Sequence, residues 1–161
     1  MKILIISDTH GNEDNFDKVL EIEKNIDILF HLGDLQGADG YISLMSKCPC
    51  YMVAGNNDFH TKLKKELFVD IPGHRVMLTH GHYYYVNYGY EKLVIGAKAN
   101  GADIVIFGHT HRPYEAIMNN VLVLNPGSLS YPRQEERIPT YMIMNVDDNG
   151  LYSVELKYIK K

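Results

Sequence analysis

Six apolar runs in this chain stop at residues that can bind a metal or turn the backbone sharply. Residues 3–6, Ile-Leu-Ile-Ile, break into Ser7-Asp8-Thr9-His10-Gly11. Residues 28–32 end in Gly33-Asp34, and residues 51–54 end in Gly55-Asn56-Asn57-Asp58. Val76-Met77-Leu78 ends in Thr79-His80-Gly81-His82, and residues 104–107 end in Gly108-His109-Thr110-His111. Residues 121–124 end in Asn125-Pro126-Gly127-Ser128. Asp8 and His10, two apart, can leave a strand end on the same side and offer oxygen and nitrogen to one divalent cation. Alone, Asp-x-His reads better as a turn with an Asx motif at Asp8 and an exposed His10. The recurrence at each strand end changes the weighing. Ligands in open α/β sheets bind outside the carboxyl ends of strands, and Gly lets the backbone approach closely there.

Asp8-x-His10, Gly33-Asp34, Gly55-Asn56-x-Asp58, His80-Gly81 and Gly108-His109-Thr110-His111 resemble the ordered motif set of the calcineurin-like metallophosphoesterases. The likeness runs from Ile3 to about Arg133. The short length and Asn125-Pro126-Gly127-Ser128 make the chain most similar to the small bacterial and archaeal phosphodiesterase branch, whose fold the retromer scaffold subunit shares. The resemblance implies a binuclear centre. Asp8, His10, Asp34 and His111 would hold one divalent ion, and Asp34, Asn56, His80 and His109 the other. Asp34 would bridge, since a carboxylate has two oxygens to share. Mixed oxygen and nitrogen ligation suits Mn, the first expectation, or Fe, Zn, Ni or Co, better than Ca. Such a pair activates a bridging hydroxide for in-line attack on phosphorus, so neither Ser128 nor Cys50 needs a nucleophilic role.

The expected catalytic residues are Asp34, Asn56, Asp58 and His82. His82 could contact phosphate, with a structural role equally open. Asp58 could orient His10 or a water, with a cap or turn role almost equally open. His31, inside a strand, reads as a hydrogen-bonded core or edge residue, and His60 and His74 as surface residues. Phosphomonoesters are recognised well by Arg forks, and neither Leu35-Gln36-Gly37 nor Phe59-His60 contains Arg. That favours a monoanionic small-molecule phosphodiester as substrate. A phosphomonoesterase and a catalytically weak scaffold of the same fold are the alternatives. The chain departs from the resemblance at Asn57, where the phosphatases commonly have His and the small phosphodiesterases often Cys. Its amide cannot serve as a general acid.

These residues need strands and helices to position them. Asn12 is placed to cap a helix with Phe16, Val19 and Leu20 at core spacing, ended near Asn25. A second helix is expected over residues 38–47, a short basic one over 59–65, and a third over 88–100 with Gly101 as its cap. Pro72-Gly73, Asn119-Asn120 and Asp147-Asp148-Asn149-Gly150 each join two strands of a hairpin. On the last strand Tyr152, Val154, Leu156 and Tyr158 alternate with polar residues. Helices between the early strands and a meander at the end predict an α/β fold of two packed mixed β-sheets flanked by helices, a four-layer sandwich, in one domain over residues 1–161.

Composition agrees. With 161 residues, 45% hydrophobic and 22% charged, the chain can bury a substantial core. A net charge of -4, with basic runs only at Lys62-Leu63-Lys64-Lys65 and Lys160-Lys161, argues against nucleic acid as the main partner. No apolar run is long enough for a membrane span and no leader pattern opens the chain, so a cytoplasmic protein is expected. Cys48 and Cys50 are too close for an unstrained disulfide and read as reduced thiols. Tyr83, Tyr84, Tyr85, Tyr88 and Tyr90 follow His82 as packing residues, a homo-oligomer interface, or a cleft wall for an aromatic group.

Overall fold

The computed structural model describes residues 1–159; the Lys160-Lys161 pair lies outside them. In chain order the elements are β1 (Lys2–Ile6), α1 (Asp14–Ile22), β2 (Ile28–His31), α2 (Asp39–Ser46), β3 (Cys50–Met52), β4 (Glu66–Ile71) and β5 (His74–Thr79). A 3-10 turn (His82–Tyr84) precedes α3 (Glu91–Ala99), β6 (Ile104–Ile106), β7 (Pro113–Met118), β8 (Val121–Pro126), β9 (Thr140–Val146) and β10 (Tyr152–Tyr158).

The strands form two five-stranded mixed sheets, ordered β10-β9-β1-β2-β3 and β4-β5-β6-β8-β7. β1, β2 and β3 are parallel neighbours, as are β5, β6 and β8, while hairpin partners run antiparallel at the edges. Both faces of the central strands are covered, which is why their apolar runs are continuous rather than alternating. Ile3 and Ile5 of β1 meet Val76, Leu78, Ile104 and Ile106 between the sheets. Leu4 and Ile6 point the other way, onto Phe16 and Val19 of α1 and Ile42 of α2. Met77 and Val105 pack on Leu93, Val94 and Ala97 of α3. The layers are therefore helix, sheet, sheet, helix, the fold class expected from the sequence. Among the described residues no helix is long and apolar enough to cross a membrane.

Several local expectations change. Asn12 is not the cap of α1: Glu13 holds that position without a side-chain cap bond, while Asn12 Oδ1 accepts the Asp14 N–H at 3.2 Å from one residue further out, and the helix ends at Ile22, before Asn25. Residues 59–65 form no helix: Thr61 Oγ1 accepts the Leu63 N–H, and the Lys64 carbonyl accepts the Ala54 N–H, which draws this stretch alongside the end of β3. α3 begins at Glu91 instead of residue 88, because the 3-10 turn and Tyr85, at φ +56°, occupy the preceding stretch. Tyr158 is exposed, while its neighbour Lys157 turns toward Glu23, Nζ 3.0 Å from Oε1. Cys48 and Cys50 are free and half-buried.

His74 is not the surface residue expected. It ties the two sheets together at the end opposite the loops after β1 and β2. Nδ1 lies 2.6 Å from Asp103 Oδ2 and Nε2 2.7 Å from the Gly150 carbonyl. Both partners are acceptors, so the ring serves both only as an imidazolium. Beside it the turns touch backbone to backbone: a Cβ on Gly73 would lie 2.8 Å from the Gly150 Cα. Burial lowers the His74 pKa, but the Asp103 carboxylate and Gly150 carbonyl outweigh it and hold the pKa above the ordinary imidazole value. A raised folded pKa means stability that is full below the unfolded value and is lost as pH rises through the folded one. Relative to His74→Gln, the unmodified protein should therefore lose stability in urea unfolding as pH rises above the ordinary imidazole value of about 6.5. A difference independent of pH would contradict the imidazolium clamp.

Candidate metal centre

The carboxyl ends of β1, β2, β3, β5, β6 and β8 converge at one edge of the sandwich, and the loops leaving them carry Asp8, Asp34, Asn56, His80, His109 and His111. The backbone there is unusual. Asp8, His10, Asp34, His109 and His111 all sit at positive φ, between +51° and +67°. This region is sparsely used by residues other than Gly, and Asp, Asn and His tolerate it best. It lets each loop double back beside its strand end. The glycines make room: a Cβ on Gly33 would lie 2.6 Å from His80 Nδ1, and one on Gly55 would land on Asp34 Oδ1.

Ligand atoms of Asp8, His10, Asp34 and His111 lie within 4.8 Å of one another, a spacing that could hold a cation. His80 adjoins them, with Nε2 3.5 Å from Asp34 Oδ2 and 3.1 Å from Asn56 Oδ1. Asp34 Oδ2 is also 3.7 Å from His10 Nε2, so one oxygen lies between the imidazoles of the two expected ligand sets. The His109 ring centroid is 5.1 Å from that of His80.

The donor chemistry tests whether cations fit. His80 Nδ1 is 2.6 Å from the Leu32 carbonyl, and His111 Nδ1 is 2.7 Å from the Tyr131 carbonyl. A carbonyl only accepts, so both Nδ1 atoms carry hydrogen, and each Nε2, when its ring is neutral, presents a lone pair. Those lone pairs face oxygens: His111 Nε2 is 3.2 Å from Asp8 Oδ1, and His80 Nε2 faces Asn56 and Asp34. His10 Nε2 and His111 Nε2 face each other at 3.3 Å. Among the described residues, buried Asp8 Oδ1 receives no hydrogen bond. Acceptors turned on acceptors repel unless a proton or a metal ion lies between, and this oxygen and nitrogen set fits a divalent transition ion.

The charges agree. Burial raises the Asp34 pKa, but His80 and two donors from Asn57 outweigh it and hold the carboxyl well below the usual range. Asp8, raised by burial and lowered more by His111 and His80, is likewise ionised. Burial lowers the His80 pKa, but Asp34 and Asp8 overcompensate and raise it, so without a cation a proton on Nε2 supplies the positive charge between these oxygens. Burial keeps His10 and His109 below the ordinary value.

The remaining expected site residues separate. Both oxygens of Asp58 accept main-chain N–H groups, from Gln36 at 2.6 Å, Gly55 at 2.7 Å and Asp34 at 2.8 Å. Asp58 therefore ties the Asp34 loop to the Asn56 loop; among the described residues it makes no hydrogen bond to His10. His82 lies beside the centre, its ring centroid 5.4 Å from His80 and 4.0 Å from Tyr83. Burial, then the neighbouring His80 and His109, pushes its pKa down to about 4, and Nδ1 is buried without a partner among the described residues. His31 is fully buried, accepting the Gly33 N–H at Nδ1 and facing Thr9 Oγ1 at Nε2, and burial lowers its pKa to about 3. His60 is exposed, as expected.

Sequence reasoning missed residues that hold these loops. Asn57 gives its main-chain N–H to Asp34 Oδ1 and its side-chain amide to Oδ2, at 2.8 and 2.7 Å. Ser128 Oγ donates to the Asp8 carbonyl, and Asn125 Nδ2 to the Gly108 carbonyl. Their Asn-Pro-Gly-Ser stretch was the visible signal, without a role attached. Asn87 Nδ2 lies 3.0 Å from His109 Nε2, and no pattern in its tyrosine-rich segment marks it.

Comparison with known proteins agrees with this geometry. The Calcineurin-like phosphoesterase superfamily domain matches residues 1–149. The chain belongs to that family. Phosphodiesterase MJ0936 of Methanocaldococcus jannaschii is 32% identical over 145 residues, covering 79% of this chain and 83% of that one. A conserved uncharacterised protein of Streptococcus pneumoniae, described as a predicted phosphoesterase, superposes with a TM-score of 0.84 at 29% identity, covering 98% of this chain and 88% of that one. Wild-type Vps29 of Entamoeba histolytica complexed with Zn2+ shares the fold, with a TM-score of 0.78 at 23% identity over 98% and 99% of the chains.

Asp58 should then matter to the phosphoesterase centre through architecture. Asp58→Ala leaves three main-chain donors without their carboxylate and should destabilise the protein by about 1–3 kcal/mol. It should also weaken Mn2+ binding about 10–100-fold, read by titration, although Asp58 ligates nothing. Unchanged stability with lost turnover would instead make it a catalytic group.

Proposed function

We propose that this chain is a binuclear metal-dependent phosphodiesterase acting on a small-molecule diester. The observation that carries the reading is the Asp34 carboxylate, ionised and set between the imidazoles of two ligand sets. Asp8, His10, Asp34 and His111 would hold one divalent ion, and Asp34, Asn56, His80 and His109 the second, with Mn the first choice. Bound there, such ions lower the pKa of a water and offset phosphoryl charge. The chain's own residues do the rest. Asn57 and Asp58 orient Asp34 from opposite sides, through its oxygens and its N–H. His82 stays neutral and can give a hydrogen bond to a phosphoryl oxygen.

The diester assignment draws support from the lack of Arg in both loops beside Asp34 and Asn56, and from the phosphodiesterase relative. Arg112 and Arg133 are exposed, and Arg112 Nε is turned onto the Arg133 carbonyl at 3.2 Å. An interaction module of the same fold is the second reading, favoured by the likeness to Vps29. That neighbour is itself a zinc complex, so metal binding alone does not separate the readings, and turnover does.

Two outcomes test this. Mn2+-loaded protein should hydrolyse a nitrophenyl diester faster than the matching monoester, and chelation should abolish the activity. No turnover with both ions bound would leave the interaction module. Because Asn57 commits its amide to Asp34 and carries no titratable proton, alkyl diesters, which need a protonated leaving group, should be slower by about 10²–10⁴-fold. A plot of rate against leaving-group pKa should be steep; a shallow slope would mean another residue donates the proton.

A further inference from the structure

The imidazoles of the centre are held by their outward nitrogens. His80 and His111 give Nδ1–H to the main-chain carbonyls of Leu32 and Tyr131 and turn Nε2 inward. His109 is held the other way round. Its Nε2 lies 3.0 Å from the side-chain amide of Asn87, and its Nδ1 makes no hydrogen bond among the described residues.

The contact is built rather than incidental. Asn87 is exposed, but the residues around it are fixed. Val86 is buried and packs on Gly81, where an added Cβ would meet both Val86 methyls at 3.1 Å. Tyr84 donates its hydroxyl to Glu66 Oε1 at 2.7 Å. The Tyr88 N–H reaches back to the Tyr85 carbonyl at 2.9 Å, closing a turn around Val86 and Asn87. The Tyr90 ring packs at a tilt against Phe107 and Tyr114 and anchors the far end. The tyrosine-rich segment therefore delivers one amide to one imidazole.

We propose that Asn87 is a positioning residue that fixes the His109 ring with Nδ1 toward the second metal ion. The proposal rests on the binuclear reading. An amide offers a donor and an acceptor from the same place, so by a half-turn of its end group Asn87 can accept the Nε2–H that His109 carries once Nδ1 gives its lone pair to a cation. Metal-bound histidines commonly donate their second N–H to such an acceptor, and removing it weakens metal affinity about 10–100-fold. The loop after β5 thereby gains a part in metal retention that its tyrosines do not suggest.

Titration of metal-free protein with Mn2+, followed by calorimetry, tests this without any substrate. The unmodified protein should take up two ions. Asn87→Ala should weaken one by about 10–100-fold and leave the other unchanged. Asn87→Asp, which keeps an acceptor, should bind both nearly as well, and Tyr88→Ala, on the neighbouring exposed residue, should change neither. Two ions bound equally well by the unmodified protein and by Asn87→Ala would overturn the role of Asn87 alone. Equal weakening of both ions would also overturn it, since the loss would be structural. Fewer than two ions in the unmodified protein would overturn the binuclear reading and this proposal with it.

Discussion

Imidazole nitrogens turned on oxygens around Asp34 need positive charge between them, and every loop of the centre is built around that need. His111 Nε2 faces Asp8, and His80 Nε2 faces Asp34 and Asn56, because each Nδ1 is already spent on a main-chain carbonyl. Burying such a set costs free energy unless positive charge lies within it. A fold that holds this arrangement must therefore be stable enough elsewhere to carry it. The three apolar layers supply that stability, with Ile3, Leu4, Ile5 and Ile6 of β1 fully buried among them. β1 and β2 end beside one another, and Asp8 and Asp34 leave from those ends.

Backbone strain concentrates at the same place. Left-handed conformations at Asp8, His10, Asp34, His109 and His111 each cost something, up to roughly 1–3 kcal/mol. They persist because side chains from distant loops hold the carbonyls and N–H groups there. Ser128 holds the Asp8 carbonyl, Ser130 the Thr9 carbonyl and Asp58 the Asp34 N–H. The His74 clamp, by contrast, joins turns of the two sheets far from this strain, and its protonation is a matter of stability alone.

Much of this was legible in the sequence, for a physical reason. Strand ends that stop in Gly with Asp, Asn or His show both the turn and the ligand chemistry, so the convergence of Asp8, Asp34, Asn56, His80, His109 and His111 could be anticipated. Hairpins were legible from turn residues that need positive φ, as at Asn119 and Asn120. What failed were features decided by tertiary partners. Helical composition at residues 59–65 lost to a main-chain bond with Ala54, and His74 found two acceptors on elements distant in sequence. For Asp58 a catalytic role and a cap or turn role were both open in the sequence, and its three main-chain donors lie on a neighbouring loop as well as its own. Asn57 stood out only as a departure from the motif, since its two hydrogen bonds to Asp34 exist only in the folded chain, and Asn87 left no periodic or spacing signal for its contact with His109.

The central claim is that Asp34 is shared by two ions. Anomalous diffraction from crystals grown with Mn2+ tests it most directly. Two peaks should appear about 3.5–4 Å apart, one beside Asp8, His10 and His111 and one beside Asn56, His80 and His109, with Asp34 between them. A single peak, or a second ion out of reach of Asp34, would contradict it.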